Sequence, residues 1–70
     1  MHIGNARSIL KMCKTEFENA DSQEERAFKY NKWVIHWNYV RAEWQGYGYA
    51  MHLINDLQPL PPLHQLNLDA

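Results

Sequence analysis

Seventy residues make one domain at most, near the lower limit for unaided folding, because so short a chain buries only about 60% of the surface it exposes when unfolded. Cys13 is the only cysteine, so no internal disulfide can help, and a lone thiol fits the reducing cytoplasm better than secretion. A formal charge of −1 gives no broad field to draw in nucleic acid or anionic lipid.

The first predicted element is a helix over about residues 5–20. Ala6, Ile9, Leu10, Cys13, Phe17 and Ala20 recur at the spacing of one helical face. Asn5 reads as its N-cap, and Arg7, Lys11 and Lys14 line the opposite side. This stretch lacks the apolar run and small-residue cleavage site of a signal peptide. Asn19-Ala20-Asp21-Ser22 then reads as a break, and Ser22 with Glu25, or Asp21 with Glu24, forms a capping-box pattern that restarts the helix.

The second element, over about 22–45, holds most of the rings. All three Trp and all four Tyr fall between Tyr30 and Tyr49. Two readings compete. As a strand, Trp33, Ile35, Trp37 and Tyr39 alternate against Val34, His36, Asn38 and Val40, and Tyr47 to Ile54 returns as a hairpin partner. That gives an α+β alternative with a hairpin at 33–54. As a helix, Tyr30, Trp33, Trp37, Val40, Trp44 and Tyr47 form a heptad seam. The helix is favoured because Arg41 to Gln45 contains good helix formers and no hairpin-turn dipeptide. Glu25, Lys29, Lys32, His36 and Glu43 also fall on one polar strip of a helix, which a strand would scatter.

Gly46 and Gly48 are expected to end or bend this helix. Tyr49, Met51, Leu53, Ile54 and Leu57 suit a third helix over about 49–57, stopped by Pro59. Beyond it, Leu57, Leu60, Leu63 and Leu66 recur every third residue, the period of a polyproline II helix. The expected organisation is a helical domain at 1–57 followed by an extended Pro/Leu arm at 58–70. Prolines and Asp56 interrupt the stretch from Gly46 to Leu68, so it is not read as a membrane span.

Drawn as a helix, the second element has two apolar faces. The heptad seam is one; Phe28, Ile35, Tyr39 and Ala42 form the other, nearly opposite. A surface helix in a monomer needs only one. The second face is therefore expected to meet a second copy by two-fold symmetry, giving an all-α homodimer.

Chemistry is sparse. Cys13, His2, His36, His52 and His64 are the metal-capable side chains, but no two have ligand spacing on one helix; no metal or other cofactor is expected. No nucleophile elbow, phosphate loop or paired-carboxylate motif marks an enzyme. Glu24 and Glu25 suit the N-terminal end of a helix dipole. Pro59-Leu60-Pro61-Pro62 is a minimal PxxP, common by chance, and reads better as a strap over an aromatic groove.

Trp44, Tyr47 and Tyr49, where the seam runs out beside two glycines, are the expected partner-binding rings, since aromatic residues concentrate at the centres of protein interfaces. The expected function is a small non-catalytic protein-binding accessory or inhibitor protein, of the kind that phages and mobile elements often encode. The alternative is a single-stranded nucleic-acid binder stacking bases on the aromatic stripe, with Arg7, Lys11 and Lys14 as candidate backbone contacts.

Overall fold

The structure is a computed structural model that describes residues 2–60. Among the described residues three helices follow one another: α1 (Ile3–Glu18), α2 (Gln23–Trp44) and α3 (Gly48–Ile54), the last running into a 3-10 turn at Asn55–Leu57. No strand occurs among the described residues, so the hairpin alternative at 33–54 is wrong. Local signals point the same way, because the 3-and-4 spacing of the rings buries a continuous stripe on a helix.

α1 begins two residues before the expected cap. His2, not Asn5, is the N-cap: its Nδ1 accepts the Gly4 N–H at 3.1 Å, and Asn5 lies inside the first turn. α1 buries Ala6, Leu10, Cys13 and Phe17, four members of the expected face; Ile9 lies at its margin, and Ala20 lies past the end of the helix, which stops at Glu18 and not at 20. The break before α2 is built as expected. Ser22 has extended backbone, and its Oγ accepts the Glu25 N–H at 3.0 Å. Glu25 reaches back to the Asp21 N–H at 3.2 Å, one residue earlier than in the usual reciprocal box.

The antiparallel α1–α2 pair carries most of the core. Tyr30, Trp33, Trp37 and Val40 turn their stripe onto Ala6, Leu10, Cys13 and Phe17. Phe17 sits between two rings, with centroids 5.8 Å from Tyr30 and 5.7 Å from Trp33, both tilted, and the Arg26 guanidinium lies 4.9 Å over its face. Such tilted pairs add about 0.5–1.5 kcal/mol each beyond area burial. Leu10, Val40 and Ile54 are sealed from solvent, each contributing roughly 1.5–3 kcal/mol.

The segment after α2 closes the remaining side. α2 ends at Trp44 and the chain turns through Gln45 to Tyr47. Neither Gly46 nor Gly48 takes a positive φ, so the turn does not use the left-handed glycine cap. Ala50, Ile54 and Leu57 are buried. Two polar clasps fix the segment: Trp33 Nε1 donates to the Leu57 carbonyl at 2.9 Å, and Arg7 holds Asp56 and the Leu53 carbonyl. The Tyr30 hydroxyl donates to the Leu60 carbonyl.

Three expectations change here. Tyr47 leaves the heptad seam, because α2 has ended and Tyr47 caps α3. The third helix stops at Ile54, before Pro59. Leu57 belongs to the core, at 3% exposure, and not to the edge of an arm. Leu63, Leu66, Pro61, Pro62 and His64, with most of the expected arm, lie outside the described residues.

Candidate functional site

α2 presents its second apolar face outward. Phe28, Ile35 and Tyr39 are 64%, 67% and 65% exposed, and Ala42 is exposed beside them. These are the four residues expected to form the oligomer seam, and the described residues leave all four open. The geometry follows from α2 having its core stripe fully occupied by α1 and the α3 segment on the other side. Two shallow hollows flank Ile35. One, of about 240 Å³, is lined by Phe28, Asn31, Lys32, Ile35 and His36; the other, of about 330 Å³, by Ile9, Ile35, His36 and Tyr39.

A second group of rings gathers where α2 hands over to α3. Trp44 and Tyr47 meet edge to face with centroids 5.7 Å apart, and Tyr49 meets Tyr47 edge to face at 6.3 Å. Tyr47 and Tyr49 are 53% and 70% exposed, whereas Trp44 is half-buried against the core. The Trp44 indole N–H is buried with no acceptor among the described residues. The three expected partner-binding rings thus form one contiguous corner, with Trp44 as its footing and the two tyrosines as its surface.

The basic residues are arranged differently from the expected strip. Arg7 makes a bidentate pair with Asp56, at 2.7 and 3.0 Å, and donates to the Leu53 carbonyl at 2.8 Å. The Arg7 guanidinium holds the Asp56 carboxyl below the usual carboxylate range, and Lys14 adds a smaller pull in the same direction. On the other side of α1, Glu16 accepts from Lys29 at 3.0 Å and Lys32 at 3.1 Å. Those two hydrogen bonds depress the Glu16 carboxyl as well. Lys11 is exposed. Of Arg7, Lys11 and Lys14, then, the first serves a fold clasp, and the strip is not a uniform basic edge.

The remaining chemistry-bearing side chains are dispersed. No group of three or more His, Cys, Asp or Glu could hold a metal ion among the described residues. Cys13 is buried, and burial pushes its thiol pKa up, away from thiolate character. No helix among the described residues is long and apolar enough to cross a membrane.

Sequence reasoning found both exposed ring groups but missed the Arg7–Asp56 clasp. The two residues are separated by 49 positions, and no local pattern links them. No family model, curated protein or solved structure matches the chain.

Proposed function

We propose that the chain is a non-catalytic accessory or inhibitor protein that acts in the cytoplasm as a homodimer and binds another protein through the Trp44–Tyr47–Tyr49 corner. The carrying observation is the corner itself: two tyrosines more than half exposed, Tyr47 edge to face on the half-buried Trp44 and Tyr49 edge to face on Tyr47. Rigid aromatic side chains supply large contact area at little entropic cost, which is why they serve as interface anchors. The outer face of α2, through Phe28, Ile35, Tyr39 and Ala42, is the homodimer seam.

A single-stranded nucleic-acid role is the second reading, because the same rings offer faces for stacking bases. Charge weighs against it. Backbone recognition draws on cations that can meet phosphates; Lys11 is exposed, but Arg7 is paired with Asp56, and Lys29 and Lys32 share Glu16.

The test is a quantitative affinity capture from the source cell, comparing wild type with a Tyr47→Ala/Tyr49→Ala variant. Circular dichroism confirms that the variant stays helical. One or more proteins should be retained by the wild type and lost with the variant. Oligonucleotide binding is titrated in parallel at two salt concentrations. Tight, steeply salt-dependent binding of single strands that vanishes in the same variant would transfer the corner to nucleic acid.

A further inference from the structure

The outer face of α2 has a symmetry that its composition alone does not reveal. Phe28, Asn31, Ile35, Tyr39 and Ala42 lie at −7, −4, 0, +4 and +7 about Ile35. Two such helices laid antiparallel with Ile35 on Ile35 bring residues together whose numbers sum to 70. Phe28 then faces Ala42 of the second copy, a large side chain against a small one, at both ends of the contact. Tyr39 of the second copy reaches the level of Asn31 on the opposite flank, over Lys32, at the hollow of about 240 Å³ that Phe28, Lys32 and Ile35 line.

At 100° per residue, Asn31 and Asn38 lie on the same flank of the stripe. In the antiparallel arrangement those flanks face each other, so Asn31 of each chain meets Asn38 of the other. Side-chain amides both donate and accept, and paired polar groups at a helix seam fix register and orientation. A parallel pair does the reverse. It sets Phe28 against Phe28 and Tyr39 against Tyr39, turns the Asn flank toward Lys32, and aligns the helix dipoles unfavourably.

The area is adequate as well. Phe28, Ile35 and Tyr39 keep 64%, 67% and 65% of their surface in solvent. At roughly 150–250 Å² for an aromatic side chain, and less for Ile35, they offer at most about 400 Å² per protomer and about 800 Å² for a pair. Ala42, Asn31, Asn38 and the Lys32 stem bring the total near the ~1,200 Å² at which stable interfaces begin.

We infer that two copies pair through the outer faces of α2 in antiparallel register, with Ile35 on the two-fold axis, and that the dimer is a bivalent binder carrying one Trp44–Tyr47–Tyr49 corner at each end. The pairing specifies the dimer proposed above and rests on that reading. Trp44 is nine positions from Ile35, so the two corners stand on the order of 27 Å apart along the seam at 1.5 Å per residue. That spacing suits a two-fold symmetric partner, or two copies of one partner, and engaging both corners raises avidity without new contacts.

The register is tested by cysteine cross-linking in otherwise wild-type protein. Asn31→Cys and Asn38→Cys leave every ring in place, and Cys13 is buried. Facing positions on packed helices about 8–10 Å apart bring introduced thiols within linking reach, whereas the two copies of position 31 in the antiparallel pair are offset by roughly 12 Å along the axis. Under mild oxidation a mixture of the two variants should form a 31-to-38 disulfide, located by peptide mapping. Neither variant alone should link to itself. Self-linking of Asn31→Cys would show a parallel pair and overturn both register and bivalence. Sedimentation of the unmodified chain separates the other failures. A dimer without the 31-to-38 link pairs through another face, which overturns this register but leaves dimerisation standing. A monomer overturns the dimer itself and leaves the outer face to a different protein.

Discussion

Replacing Trp33 by Phe isolates one polar clasp in the core. Trp33 is 2% exposed, and its Nε1 donates to the Leu57 carbonyl at 2.9 Å. Phe keeps a ring beside Phe17 but removes the donor, orphaning a carbonyl next to a buried leucine. That orphaned acceptor costs about 1–3 kcal/mol. The smaller ring also leaves a void of roughly 40 Å³, worth about 1 kcal/mol at ~24 cal/mol per Å³. The sum is about 2–4 kcal/mol, a large part of the roughly 4–10 kcal/mol expected of a chain this size. Tm should fall by roughly 8–32 °C, at about 4–8 °C per kcal/mol. Trp44→Phe is the internal control, because its buried N–H has no acceptor among the described residues. Removing that donor relieves an unsatisfied group while losing only part of a half-buried ring, so stability should change by less than about 1 kcal/mol. Urea unfolding followed by far-UV circular dichroism measures both. If Trp33→Phe costs no more than Trp44→Phe, the Leu57 clasp does not hold the α3 segment in place and the reasoning fails.

Acid should loosen the fold through two carboxylates. Glu16 and Asp56 are held below their ordinary range by their cationic partners, so their contribution is present above the unfolded carboxylate pKa of about 4 and is lost as pH falls through the depressed values. Stability measured against pH should drop on that acid limb, and Glu16→Gln/Asp56→Asn should flatten it. Cys13 is 3% exposed with a raised thiol pKa, so a thiol reagent near neutral pH should label it slowly in the native protein and quickly in denaturant. Gly46 has no positive φ, and a Cβ there meets nothing within 4 Å. Gly46→Ala should therefore raise stability by about 0.4–1 kcal/mol in thermal melts, by restricting the unfolded chain.

Periodicity made the long elements legible. Ala6, Leu10, Cys13 and Phe17 on α1, and Tyr30, Trp33, Trp37 and Val40 on α2, are all buried, because each helix has one face to satisfy and its residue spacing declares which. The same spacing marks Phe28, Ile35, Tyr39 and Ala42 as a separate face, and the described residues leave it open. What stayed hidden depends on contacts distant in sequence. Leu57 fits an every-third-leucine pattern, yet its carbonyl and side chain are drawn into the core by Trp33. Arg7 looked like the solvated side of α1 until the chain returned with Asp56. Asn5 is the stronger capping residue type, which masks His2 in the sequence. The start of α1 is decided instead by the imidazole reaching the Gly4 N–H.

The most direct measurement is sedimentation equilibrium of the wild type and of Ile35→Glu, each checked by circular dichroism. Ile35 is 67% exposed in the single chain, so the substitution leaves the monomer's fold intact but puts an unpaired charge at the centre of the proposed seam. The wild type should sediment at twice the chain mass at micromolar concentration, and the variant at the mass of one helical chain. A wild type that remains monomeric at high concentration, or a variant that dimerises as tightly as the wild type, would contradict the account.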